Sequence, residues 1–137
     1  MKVIILTNTD SQVIQPGQSL TFNTVVLHTG CSECYRVGSG AVTLRQQKSI
    51  YEIKFGANIG ATTEGETAQL GIVINGSPLV ESTMISTTAA AGDLNNVNKN
   101  TAVRTYCCGP ETCTIVNTGT TPVNIGEGPS LFIRRIA

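Results

Sequence analysis

The stretch "SIYEIKFGANI" (residues 49–59) alternates apolar and polar side chains. Tyr51, Ile53 and Phe55 alternate with Glu52 and Lys54, and successive side chains of a β-strand point to opposite faces. We therefore predict a strand with one face in a core and the other face in contact with water or with another protein.

The rest of the chain continues this pattern. Helical periodicity is almost absent, and short β-branched runs broken by Gly, Pro and Asn recur at the spacing of a sandwich or barrel. The sequence predicts a single all-β domain over residues 1–137, with a type II turn in "QPGQ" (15–18) and a type I′ hairpin in "INGSP" (74–78). The predicted strands are 2–7, 12–15, 19–27, 41–45, 49–57, 67–74, 79–86, 101–107, 112–117, 122–125 and 130–136. Residues 86–100 are predicted to form a surface loop.

Composition narrows the range of partners. Nine basic and nine acidic residues give a net charge of zero, without the basic stripe that binds a phosphate backbone. The apolar runs are too short for a membrane span, and the apolar start of the chain is too short for a signal peptide. We expect no nucleic-acid or membrane partner and synthesis in the cytoplasm.

Catalytic chemistry has little support in the sequence. His28 is the only histidine, no G-x-S-x-G motif accompanies it, and the carboxylates are dispersed along the chain. We predict that the protein is not an enzyme.

The five cysteines fall into two short stretches. Cys31 and Cys34 form a C-x-x-C motif, and Cys107, Cys108 and Cys113 lie in "YCCGPETC" (106–113). Three interpretations stay open: a structural zinc site if the two stretches meet, disulfides formed after release, or small thiols that pack in the core or a hairpin. Packing is the preferred one, because free cysteine often behaves as a small hydrophobic residue. A shared zinc site is disfavoured, because Cys107 and Cys108 are neighbours in a predicted strand and would face opposite sides.

Four stretches in order resemble a known domain type: "GSGAVTLR" (38–45), "SIYEIKFGANI" (49–59), "LGIVINGSPLVESTMI" (70–85) and "CTIVNTGTTPVNIGEGPSLFIRRIA" (113–137). The sequence resembles the bacterial and phage form of the complement/tumour-necrosis-factor-like jelly roll, also found at the tip of exosporium collagen-like glycoproteins. This resemblance implies a TNF-like jelly-roll sandwich of about ten antiparallel strands, with a turn at Asn117 and Gly119.

Members of this family are typically homotrimers, so the resemblance also implies a trimer. We expect Tyr51, Phe55 and Phe132 to face the threefold axis, because aromatic side chains exposed on a sheet face need a covering surface.

Free-standing copies of this domain resemble phage head proteins. This implies a bacteriophage virion protein, a trimeric capsid decoration or head-fibre protein, made in the host cytoplasm and displayed on the capsid surface. Its expected partners are the major capsid protein or another virion protein, together with surface glycans. We expect residues 1–10 to form an attachment strand or arm and residues 89–100 to be displayed. The alternative is a carbohydrate- or surface-binding module of an exosporium-like spore or cell-surface protein.

Overall fold

The computed structural model describes residues 2–29, 33–106 and 109–137, without the side chains of Lys2, Glu33 and Cys34. Within these residues the chain forms thirteen strands and one short 3₁₀ turn, η1 (Val80–Ser82). The strands are β1 (Lys2–Thr7), β2 (Gln12–Ile14), β3 (Thr24–Thr29), β4 (Glu33–Tyr35), β5 (Ala41–Leu44), β6 (Ile50–Ala61), β7 (Thr67–Ile74), β8 (Ser77–Pro78), β9 (Met84–Thr87), β10 (Asn95–Arg104), β11 (Glu111–Asn117), β12 (Val123–Ile125) and β13 (Ser130–Arg135). No helix in the described ranges is long and apolar enough to cross a membrane.

Two antiparallel sheets enclose the core. Sheet A has the order β2-β12-β6-β13-β1-β3, and β10 pairs with the other edge of β6. Sheet B has the order β4-β5-β11-β7-β8, and β9 pairs with β7. The core lies between the two sheets, and its largest fully buried side chains are Tyr51, Phe22, Phe55, Ile4, Leu6, Leu20, Leu44, Ile53, Ile59, Leu70, Ile72 and Ile115. The prediction of an all-β sandwich is therefore confirmed.

Both predicted turns are also present. Gly17 has a φ of 84° and the Gln18 amide donates to the Gln15 carbonyl at 2.9 Å, as a type II turn requires. Asn75 and Gly76 have φ values of 51° and 82°, the two left-handed positions of a type I′ hairpin.

Strand bounds differ most where polar residues form a strand. β10 begins at Asn95, so residues 95–100 belong to a ten-residue strand paired along β6 and not to the predicted loop. The polar run "NNVNKN" can form this strand because β6 supplies the backbone hydrogen-bond partners and most of its side chains are exposed, so they need not be apolar. The predicted strand 79–86 is instead η1 followed by β9, and β8 ends before it at Pro78.

The amino-terminal segment is a central strand. β1 pairs with β13 on one side and with β3 on the other, and Ile4 and Leu6 are fully buried. Both of its hydrogen-bonding edges are thus occupied. Of the two forms expected for residues 1–10, a strand or an arm, residues 2–7 form a paired strand, and their expected role in attachment stays a prediction.

The turn at Asn117 and Gly119, which the resemblance implied, is held by one buried amide. Asn117 Nδ2 donates to the carbonyl oxygens of Ile14 at 3.1 Å and Thr121 at 2.8 Å, and its Oδ1 accepts from the Gly119 amide at 3.0 Å. These three hydrogen bonds offset the cost of removing the amide from water. It fixes the end of β11 against β2.

Candidate interaction surface

Two of the three aromatic residues predicted to face a trimer axis lie inside the sandwich. Tyr51 is 0% exposed and Phe55 is 2% exposed, and both pack in the core cluster between the sheets. The alternation along β6 points them towards sheet B, so their assignment to an axis is corrected. Phe132 lies between the buried residues Leu131 and Ile133 of β13, so it points to the other face of sheet A.

The face of sheet A that carries Phe132 is referred to below as the outer face. Its middle row runs across five strands, because directly paired residues of an antiparallel sheet point to the same side. The row is Leu27 (β3), Ile5 (β1), Phe132 (β13), Lys54 (β6) and Asn100 (β10). Leu27 is 45% exposed, and Ile5 and Phe132 are half-buried. The first three members form an apolar stretch on the surface.

The charged part of the outer face is on β6 and β13. Arg134 Nη2 contacts Glu52 Oε1 at 3.0 Å, and Lys54 Nζ lies 3.8 Å from the same oxygen. Lys54 Nζ also lies 5.4 Å from the centre of the Phe132 ring, within the range of a cation–π contact. The Nε of Arg134 is buried and has no hydrogen-bond partner among the described residues. These contacts place a charged cluster directly beside the apolar stretch.

A shallow depression lies in the same face at Gly56. It has a volume of about 380 Å³ and is bordered by Lys54, Phe132, Asn98 and Ser130. A Cβ at position 56 would come no closer than 3.6 Å to Asn98 Cβ, so the depression has room for a methyl group. An incoming side chain could occupy it.

Among the residues whose side chains the structure describes, Cys113 is the one cysteine, and it forms no metal or disulfide site. Cys113 is 0% exposed and unbridged, and it lies on β11 in register with Val42 and Ile74. Burial raises the pKa of its thiol to about 12, which disfavours the thiolate needed for metal binding or disulfide exchange. The packing interpretation is therefore the one that holds for Cys113.

For the other four cysteines, the zinc and disulfide interpretations are not tested by the structure. Cys31, Cys107 and Cys108 lie outside the described residues, and Cys34 is described only by its backbone, which pairs with Thr43. In the described ranges, no three His, Cys, Asp or Glu side chains gather as metal ligands. For these four cysteines, zinc and disulfides stay predictions.

Sequence reasoning found Phe132 but missed its neighbours in the outer face. Ile5 sits in the run "KVIIL" (2–6), where every residue after the lysine is apolar and alternation is invisible. Leu27 sits in a similar run, "TVVLHT" (24–29). Continuous apolar runs of this kind indicate that both faces of a strand are covered. This pattern was the sequence signal that could have identified Ile5 and Leu27 as part of an interaction surface.

Comparison with known proteins supports the fold. No family model and no curated protein sequence matches the chain. Among solved structures, murine APRIL at pH 8.0 is similar with a TM-score of 0.67 at 12% identity, over 98% of each chain. The globular domain of the zebrafish complement 1qA protein is similar with a TM-score of 0.65 at 11% identity, over 98% of this chain and 96% of that one. At such low identity the similarity concerns the fold, and the fold of this chain is a jelly roll of the complement and tumour-necrosis-factor type.

Proposed function

We propose that the protein is a non-enzymatic structural protein that forms a homotrimer through the outer face of sheet A and is displayed on the capsid surface of a bacteriophage. The observation that carries the trimer is the apolar stretch Leu27–Ile5–Phe132, which lies opposite the core. Apolar surface of this kind is stabilised by burial against a partner. A second copy presents the same stretch and the same charged cluster.

The charged cluster favours a specific rather than a loose association. Glu52 lies between two cations, Lys54 and Arg134, and these contacts give the three side chains defined positions on this face. Polar groups of this kind fix the register of an interface whose affinity comes from apolar contact.

The virion setting is supported by the resemblance to phage head proteins in the order of the strand motifs. In this proposal the chain is made in the bacterial cytoplasm and binds the major capsid protein or another virion protein. Attachment does not add a strand at the edges of β1, because both edges are paired within the chain. Nucleic acid and membrane are not partners, and loop residues such as 88–94 remain available for display.

The trimer is tested by measuring the mass of the purified chain by mass photometry or light scattering. We expect three times the 14.4 kDa of one chain. Phe132→Glu should give monomers, because it places a carboxylate in the apolar stretch. The matched control is Val80→Glu, since Val80 is 84% exposed in η1, away from the outer face, where the same change should leave the trimer intact. A monomeric wild-type chain at micromolar concentration contradicts the trimer.

The virion setting needs a separate experiment. Antibody labelling and mass spectrometry of purified phage particles should find the chain on the outside of the capsid. Its recovery from spore or cell surfaces, with none on particles, would support the surface-module alternative and overturn the virion proposal.

A further inference from the structure

An exposed tyrosine separates two depressions at the end of β10. Tyr106 is 64% exposed and follows Arg104, the last residue of that strand. The first depression has a volume of about 400 Å³ and is lined by Lys48, Arg104, Thr105 and Tyr106. The second has a volume of about 450 Å³ and shares Arg104 and Tyr106. Both volumes lie in the lower range of small-ligand sites.

The first depression is held in shape by a buried threonine. Thr105 is 1% exposed, its Oγ1 donates to the Gln46 carbonyl at 2.6 Å, and its Oγ1 accepts from the Ser49 amide at 3.0 Å. These bonds tie the turn that carries Lys48 to the end of β10. Lys48 itself has a φ of 51°, a left-handed conformation that non-glycine residues adopt at a cost. The hydrogen bonds of Thr105 hold Lys48 in this conformation.

The charges around Tyr106 form no ion pair with the other residues that the structure describes. The described part of the chain has two ion pairs, and both involve Glu52, so Lys48 and Arg104 have no acidic partner there. The second depression adds two carboxylates, Glu81 and Glu111. The site therefore offers two cations in the first depression and two carboxylates in the second, with Arg104 and the Tyr106 ring bordering both.

We propose that this Tyr106 site, made of Lys48, Glu81, Arg104, Tyr106 and Glu111, binds an acidic glycan, a saccharide whose sugars include one with a carboxylate. The C–H groups of a sugar ring carry a small positive charge and pack on the negative face of the Tyr106 ring. Arg104 and Lys48 bind the carboxylate, the guanidinium in a bidentate manner. Glu81 and Glu111 accept hydrogen bonds from sugar hydroxyl groups.

The same carboxylates argue against a nucleic-acid ligand. An aromatic ring beside two cations also suits stacked bases and phosphates. A phosphate backbone, however, would run past Glu81 and Glu111, and the chain has no net positive charge to offset that repulsion. A saccharide with isolated carboxylates fits both the cations and the carboxylates of the site.

This inference rests on the proposed function in one respect: it supplies a ligand for the surface that is displayed. Binding to the full-length protein is measured by isothermal titration with four probes: sialyllactose, a hyaluronan tetrasaccharide, lactose and a single-stranded oligonucleotide. The first two separate sialic from uronic acids as the source of the carboxylate. We expect one of them to bind with a dissociation constant of about 1 mM or tighter, and lactose to bind at least about tenfold more weakly.

Variants locate the site. Tyr106→Ala should weaken binding by about tenfold or more. Lys48→Gly should weaken it while the melting temperature holds or rises, because glycine adopts a φ of 51° freely. Arg104→Gln should weaken it, and the matched control Lys99→Gln, on the same strand with the same loss of charge, should not.

The outcomes separate the two proposals. Absence of binding to both acidic probes, equal binding of lactose, or preference for the oligonucleotide overturns the acidic-glycan site, even if the protein is a trimer. Binding by a monomeric protein supports the site and contradicts the proposed trimer.

Discussion

The two faces of β6 contain the same number of alternating positions but have opposite environments. Tyr51, Ile53 and Phe55 face the core and are buried, whereas Glu52 and Lys54 lie on the outer face, half-buried and exposed. The inner face is complementary to sheet B of the same chain. The outer face has an ion pair, a depression and an apolar stretch beside them. The difference shows that one strand can specify the fold with one face and leave the other for a partner.

The largest expected effect is on the inner face. Phe55→Ala should lower the free energy of unfolding by about 3 to 5 kcal/mol, because it removes a buried ring and leaves a cavity. The matched change on the outer face, Lys54→Ala, should alter it by less than about 1 kcal/mol. Urea denaturation of both variants checks the comparison. Equal losses would contradict the assignment of the two faces.

Two glycines on β6 give a finer comparison within the outer face. A Cβ at Gly60 would lie 2.0 Å from the Asp93 carbonyl oxygen, whereas a Cβ at Gly56 would have its nearest contact at 3.6 Å. Gly60→Ala should therefore destabilise the protein by about 1 to 3 kcal/mol, since the 88–94 loop must move. Gly56→Ala should be nearly neutral. Thermal unfolding tests this, and a harmless alanine at position 60 would show that the loop does not pack there.

The core-facing thiol of Cys113 should make the free energy of unfolding depend on pH. Burial raises its pKa to about 12, from about 8.5 in an unfolded chain. Between these two values the unfolded chain loses the proton and the folded chain keeps it, so the free energy of unfolding falls by about 1.4 kcal/mol per pH unit. Denaturation at pH 7 and pH 10 should show a smaller pH-dependent loss for Cys113→Ala than for the wild type. Identical losses would place this thiol in contact with water.

The smallest expected effect concerns the ion pair on the outer face. Glu52→Gln should change the free energy of unfolding by less than about 1 kcal/mol, because Glu52 and Arg134 are partly exposed and screened. Raising the salt concentration should reduce the difference further. Mass photometry of the same variant shows whether this pair affects association instead. A loss as large as that of Phe55→Ala would mean that the pair is far more buried than the structure shows.

The candidate surfaces were less predictable than the strands. Phe132 was identified because an aromatic residue in an alternating strand is conspicuous, but Ile5 and Leu27 lie in continuous apolar runs, where the sequence does not say which residue faces out. Tyr106 was missed because its exposure depends on β10 ending at Arg104 and on the Thr105 hydrogen bonds that bring residues 46–49 alongside. Contacts between residues more than fifty positions apart leave no local pattern.

By itself the sequence determined the all-β class, the alternation of β6, the turns at Gly17 and Asn75–Gly76 and the absence of a large net charge, because these depend on local backbone preferences and composition. Only the tertiary structure decided that Tyr51 and Phe55 belong to the core, that β1 is a central strand and not an arm, and that residues 95–100 form a strand. The physical reason is that burial and edge pairing depend on which strands become neighbours, and local periodicity fixes which residues share a face but not what that face meets.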